Sequence, residues 1–142
     1  MPKHQITIQQ TVRAPRERVF DVFADHGRFA TLFGVDSTCI KEGKLEAHGL
    51  GSVRRIGRGL TSFDETIVVF DKPQRIDYQI TRSSLLKNHL GTITFRADAD
   101  VTVVDYVITF DAKIPGLGGC MAWLIKRAWD RNGPRVLEQL NS

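Results

Sequence analysis

The chain has 142 residues, enough for one domain with one sizeable core and too few for two. Its 42% hydrophobic and 25% charged residues exclude a disordered, collagen-like or membrane-embedded chain. The net charge of +4 is too small for the dense basic field of a nucleic-acid module, even with Arg54, Arg55 and Arg58 close together and Lys126, Arg127, Arg131 and Arg135 near the end.

Taken in chain order, Gln5 to Val12 alternates apolar and polar residues and predicts a strand. Ala14-Pro15-Arg16-Glu17 starts a helix whose apolar face carries Val19, Phe20, Val22 and Phe23. Asp25-His26-Gly27 ends it, with His26 placed for cation–dipole stabilisation at a helix C-terminus. Phe29, Leu32 and Phe33 mark a second short helix before Gly34.

From residue 35 to 113 the pattern is β, punctuated by glycine, proline and aspartate turns. Strands are expected near 35–41, 52–56, 61–70, 75–82, 89–96 and 101–113, and their short connections require an antiparallel meander. Ile76, Tyr78 and Ile80 form one apolar face, Ile93 and Phe95 another, and Val104, Tyr106, Ile108 and Phe110 a third. Such a sheet has one dry face that something must cover.

The expected cover is a helix from about 117 to 140, roughly 36 Å long. Leu117, Met121, Leu124, Ile125 and Ala128 share one stripe on it. Val136, Leu137 and Leu140 rejoin that stripe only if the phase slips by one residue, so a bulge or kink is expected at Pro134, which cannot donate to the carbonyl of Asp130. Trp123 falls among charged residues, as a homodimer or membrane-surface contact would, or packs on the 45–50 loop.

This order resembles the START-like SRPBCC superfamily, specifically its polyketide cyclase/dehydrase and lipid-transport group. The residues that carry the resemblance are Val12 to Phe20, Gly51 to Arg55 and Phe70 to Tyr78. The resemblance implies an α+β helix-grip fold: a curved antiparallel sheet wrapped around a long C-terminal helix, with two short helices after the first strand. It also implies one ligand-binding domain over residues 1–142, with a cavity for a hydrophobic or amphipathic molecule such as a lipid, a quinone or a polyketide.

The dry face then becomes the candidate ligand wall: Phe63, Glu65, Tyr78 and Ile80, then Ile93, Phe95, Tyr106 and Ile108, with Met121, Leu124, Ile125 and Ala128 from the helix. Two readings follow. One is a binding domain without catalysis. The alternative is a cyclase/dehydrase-type enzyme in which Glu65 or Tyr106 moves protons, Glu65 with its pKa raised by burial or, in the bland case, solvated or paired with an arginine. A weaker third is a partner surface along Arg127, Arg131 and Arg135. Arg82 and His89 flank a loop that either gates the cavity or is merely solvated.

No nucleophile–base set or phosphate loop can be assembled. No cofactor is expected and no metal, because Cys39 and Cys120 lack any CxxC or nearby histidine and read as buried free thiols. The start of the chain lacks an apolar signal region and no transmembrane span is present, so a cytoplasmic protein without stable membrane insertion is expected.

Overall fold

A computed structural model describes residues 2–141, so Met1 and Ser142, the two ends of the expected domain, lie outside the described residues. The elements are β1 (His4–Val12), α1 (Arg16–Ala24), α2 (His26–Thr31), β2 (Ser37–Lys41), β3 (Val53–Ile56), β4 (Phe63–Asp71), β5 (Arg75–Arg82), β6 (Leu86–Asp98), β7 (Val101–Ala112) and α3 (Gly118–Glu138), with a 3-10 turn at Gly59–Thr61 before β4. The seven strands form one antiparallel sheet in the order β1-β7-β6-β5-β4-β3-β2. This is the expected helix-grip α+β architecture, with α3 against the concave face.

Residue chemistry explains the elements. Pro15 precedes α1 in extended conformation, and Val19, Phe20, Val22 and Phe23 give that helix its buried face. Asp25 then caps α2, accepting the N–H of Arg28 at 3.0 Å, so α2 begins at His26 rather than near Phe29. In the sheet, the register sets Ile6 beside Ile108, Ile8 beside Tyr106 and Tyr106 beside Ile93, stacking the apolar sides of three strands. Gly91 stands opposite Tyr78, and any Cβ there would collide with the tyrosine ring. The glycine lets the phenol lie flat across β6.

Two expectations are corrected. α3 is one continuous α-helix with Pro134 inside it, as the expectation of a bulge or kink rather than two helices requires, and no bulge interrupts it. Its buried residues, Gly118, Trp129, Gly133 and Leu137, followed by Leu140, form a straight stripe that needs no slip at Pro134. That stripe is rotated from the one expected, and Leu124 is 48% exposed while Trp129 is 2% exposed. Gly133 belongs to it because a Cβ would come within 2.6 Å of the Trp129 ring.

The second correction concerns the cysteines, since Cys39 and Cys120 are both exposed. Arg54, Arg55 and Arg58, close together in the sequence, each meet a different carboxylate. Arg54 is wholly buried against Glu65, Arg55 bonds Asp64 at 2.8 Å and Arg58 meets Asp36 at 2.6 Å. Trp123 is 59% exposed, with the Arg127 guanidinium 5.3 Å from its ring centre. Among the described residues, no helix is long and apolar enough to cross a membrane.

Candidate functional site

A cavity of about 370 Å³ lies between α2, α3 and the strands β3 to β7. Its apolar wall comes from several elements. α2 and the residues after it supply Phe29, Ala30, Phe33 and Val35, and the strands supply Ile56, Phe63, Ile80, Leu86 and Ile108. Met121, Leu124, Ile125 and Ala128 close it from α3, and Thr61, Ser83 and Leu85 border it from the turns. Met121, Leu124, Ile125 and Ala128, the part of the helix stripe expected in the ligand wall, therefore face the hollow, while Trp129 and its neighbours pack against the sheet.

Of the candidate ligand residues, Phe63, Glu65, Tyr78, Ile80, Ile108, Met121, Leu124, Ile125 and Ala128 line this cavity. Ile93, Phe95 and Tyr106 do not. They share the concave face, but α1 and Trp129 fill the space above them. Phe95 packs edge-on against Phe20 and Phe23 at 5.1 and 5.3 Å, and Tyr106 against Trp129 at 6.0 Å.

The polar groups cluster at one part of the wall. Glu65 is 4% exposed and accepts Arg54 Nε–H at 2.8 Å, with Arg54 itself fully buried and its guanidinium carbon 3.8 Å from the Phe29 ring centre. Both expected readings of Glu65 thus hold at once: it faces inward and it pairs with an arginine. Burial pushes its carboxyl above the usual range, while the charge and hydrogen bond of Arg54 pull it back. The two Nη atoms of Arg54 are buried without a hydrogen-bond partner among the described residues.

Tyr78 lines the cavity and its hydroxyl bonds that of Tyr106 behind it. Burial raises the pKa of both phenols, so they stay protonated. His89 is buried too, not a solvated strand end, and its Nδ1 accepts the N–H of Ile80 at 3.2 Å. Burial, helped by the nearby Arg54 charge, lowers its pKa to about 4. The neutral ring keeps its proton on Nε2, which leaves a donor on the cavity wall. Arg82, the other flank of that loop, is bound to Asp64 at 3.0 Å.

Arg54 was missed because of its charge, and His89 was named only as the flank of a loop. The alternation of Ser52, Arg54 and Ile56 against Val53 and Arg55 does place Arg54 on the inner face, and all three inner residues are buried. His26 was misplaced as well. It is 2% exposed at the start of α2, and burial, with the Arg54 charge assisting, lowers its pKa to about 3, so no cation–dipole role is open to it.

Chemically, this arrangement offers a carboxylate acceptor, a phenol and an imidazole donor within an otherwise apolar wall. It can orient one polar substituent of an apolar guest. A salt-bridged carboxylate is a weak base, and Tyr106 sits behind the wall. A second cleft, of about 570 Å³, lies where α1 begins beside the β6–β7 turn. Arg13, Arg16, Glu17 and Asp100 border it, and it lacks the continuous apolar lining of the first.

Residues 3–141 match the family described as polyketide cyclase / dehydrase and lipid transport. No curated protein matches the sequence. Among solved structures, a START superfamily protein from Mycobacterium smegmatis superposes with a TM-score of 0.77 at 12% identity, covering 96% of this chain and 99% of that one. The ginseng major latex-like protein 151 from Panax ginseng gives 0.69 at 12% identity, over 94% of this chain and 97% of that one. The protein XoxI from Bacillus cereus gives 0.69 at 16% identity, over 96% and 94%. At such identities the likeness is one of fold.

Proposed function

The chain belongs to the polyketide cyclase / dehydrase and lipid transport family, and on that premise we propose that it binds one hydrophobic or amphipathic small molecule in the cavity beside α3. The observation that carries this is a hollow of about 370 Å³ on the concave face, with apolar walls and a few convergent polar groups. Its volume favours a compact ring compound, such as a quinone or a cyclised polyketide, over a two-chained lipid. The apolar body would lie against Phe33, Phe63 and Leu124. A hydroxyl or carbonyl would meet Glu65, Tyr78 or His89.

Binding is favoured over cyclase/dehydrase turnover by the pairing of Glu65 with Arg54 and by the position of Tyr106 behind the wall. The test is native mass spectrometry with organic extraction, followed by thermal melts against quinone, aromatic polyketide and fatty-acid panels. One class should bind one-to-one and stabilise the fold by about 2.7 kcal/mol at a hundred times its Kd. Ala128→Phe, which fills the hollow, should abolish that stabilisation. Stabilisation that survives Ala128→Phe would remove the cavity from the proposal. Product formation lost in Glu65→Gln would replace binding by catalysis.

A further inference from the structure

Away from the cavity, the fold gathers metal donors that no local spacing announces. His26 opens α2, Cys39 lies in β2 and His48 lies in the connection between β2 and β3. One donor atom from each lies within 4.8 Å of the others. We propose that His26, Cys39 and His48 form a binding site for a borderline divalent cation of the zinc type. Imidazole nitrogen and thiolate sulfur are zinc donors, whereas calcium and magnesium require oxygen.

An orphaned atom supports this independently. His26 is 2% exposed, and its Nδ1 is buried with no hydrogen-bond partner among the described residues. Its Nε2 lies 3.2 Å from the Ser52 hydroxyl, itself fully buried. With the proton on Nε2 and Ser52 accepting it, the ring is fixed and Nδ1 presents a lone pair that nothing uses. This is how a second-layer hydroxyl orients a ligating histidine. Asp25 Oδ2, 3.9 Å from His48 Nδ1, puts an oxygen within reach of a fourth position.

Binding requires one defined rearrangement. The imidazoles of His26 and His48 stack at 3.9 Å and within 5° of parallel, so their in-plane lone pairs do not meet at a point. His26 is locked by burial and Ser52. The side chain of His48 is 34% exposed, and its Nδ1 accepts the backbone N–H of His26 at 3.1 Å. His48 therefore turns, exchanging that hydrogen bond for the metal. Cys39 Sγ, now 3.6 Å from the carbonyl of Lys41, loses its proton to solvent and binds as thiolate. A tetrahedral zinc site brings such donors to within ~3.3–3.7 Å of one another. The site would staple the β2–β3 connection to the start of α2, the helix that supplies Phe29 and Ala30 to the cavity.

The experiment uses reduced, tag-free protein with Zn2+ in competition with a chromophoric chelator, and with Co2+ for its thiolate-to-metal charge-transfer absorption. One ion per chain and a charge-transfer band are expected. Cys39→Ser should remove the band and weaken Zn2+ binding tenfold or more, His48→Gln should weaken it comparably, and Cys120→Ser should change neither. Cys39 is exposed and His48 half-exposed, so both variants should fold, as unchanged melting without metal would verify. Equal Zn2+ affinity in the native chain and Cys39→Ser, or a band that follows Cys120, would overturn the site.

Discussion

The concave face of the sheet is filled at one end and hollow at the other, and the two ends are built from the same kinds of residue. At the filled end, Phe23 meets Phe95 and Trp129 with ring centres 5.3 and 6.2 Å apart. At the hollow end, Phe33, Phe63 and Ile80 are only partly buried and face about 370 Å³ of open space. What differs is the covering element. α1 presses a run of buried side chains onto the filled end, whereas the hollow end is covered by the flank of α3 that carries Leu124 and Ala128. One helix thus serves two purposes through two stripes, one packed and one lining.

The sharpest way to break this contrast is to cut into each stripe. Trp129→Ala should cost about 3–5 kcal/mol, because the removed indole leaves a void among Phe23, Phe33 and Tyr106 that the surrounding rings cannot fill. Urea unfolding followed by circular dichroism reads this directly. A cost no greater than that of Leu124→Ala would mean that the two ends are equally loose and that the hollow is not a separate feature.

A second test turns on charge. His89 sits on the hollow side with its pKa lowered to about 4, against 6.5 in the unfolded chain. Between those values the unfolded chain binds the proton that the folded one excludes. The stability this neutral ring contributes is therefore complete above pH 6.5 and is lost as pH falls toward 4, at about 1.4 kcal/mol per pH unit. Urea midpoints measured from pH 7 to 4.5 should fall accordingly, and His89→Gln should flatten the profile by that share. An unchanged slope would mean that water already reaches the ring, and hence that the cavity is wetter at this end than its burial indicates.

The extent to which the sequence foretold this contrast depends on what kind of residue carries it. β5 is found at Arg75–Arg82 as its alternation of Ile76, Tyr78 and Ile80 requires, and the order of β2 to β7 follows from short connections, whereas the pairing of β1 with β7 does not. The lining stripe on α3, rich in Leu, Met and Ile, was legible, but the packed one was not, because it is held by Gly118, Gly133 and Trp129, which a hydropathy wheel scores poorly. Arg54 was hidden by its charge, since only the pairing of Arg54 with Glu65 across β3 and β4 makes its burial affordable. His89 stands in unbroken alternation with Gly91, Ile93 and Phe95, all buried, so its inward direction was legible, but as a polar residue at a strand end it read equally well as solvated. Whether a dry face is filled or hollow is a matter of volumes in three dimensions, and no periodicity encodes it.

The smallest effect is the most discriminating. Leu124 is 48% exposed on the lining stripe, so Leu124→Ala removes little buried surface and should change stability by only about 0.5 kcal/mol. The same substitution takes three carbons from the cavity wall beside Ala128 and Met121. A residue whose removal leaves the melt unchanged yet alters which ring compounds stabilise the protein belongs to a binding surface. If instead Leu124→Ala cost several kcal/mol, the side chain would be core material in solution and the space beside it closed, and the hollow end would have to be redrawn as a second packed end.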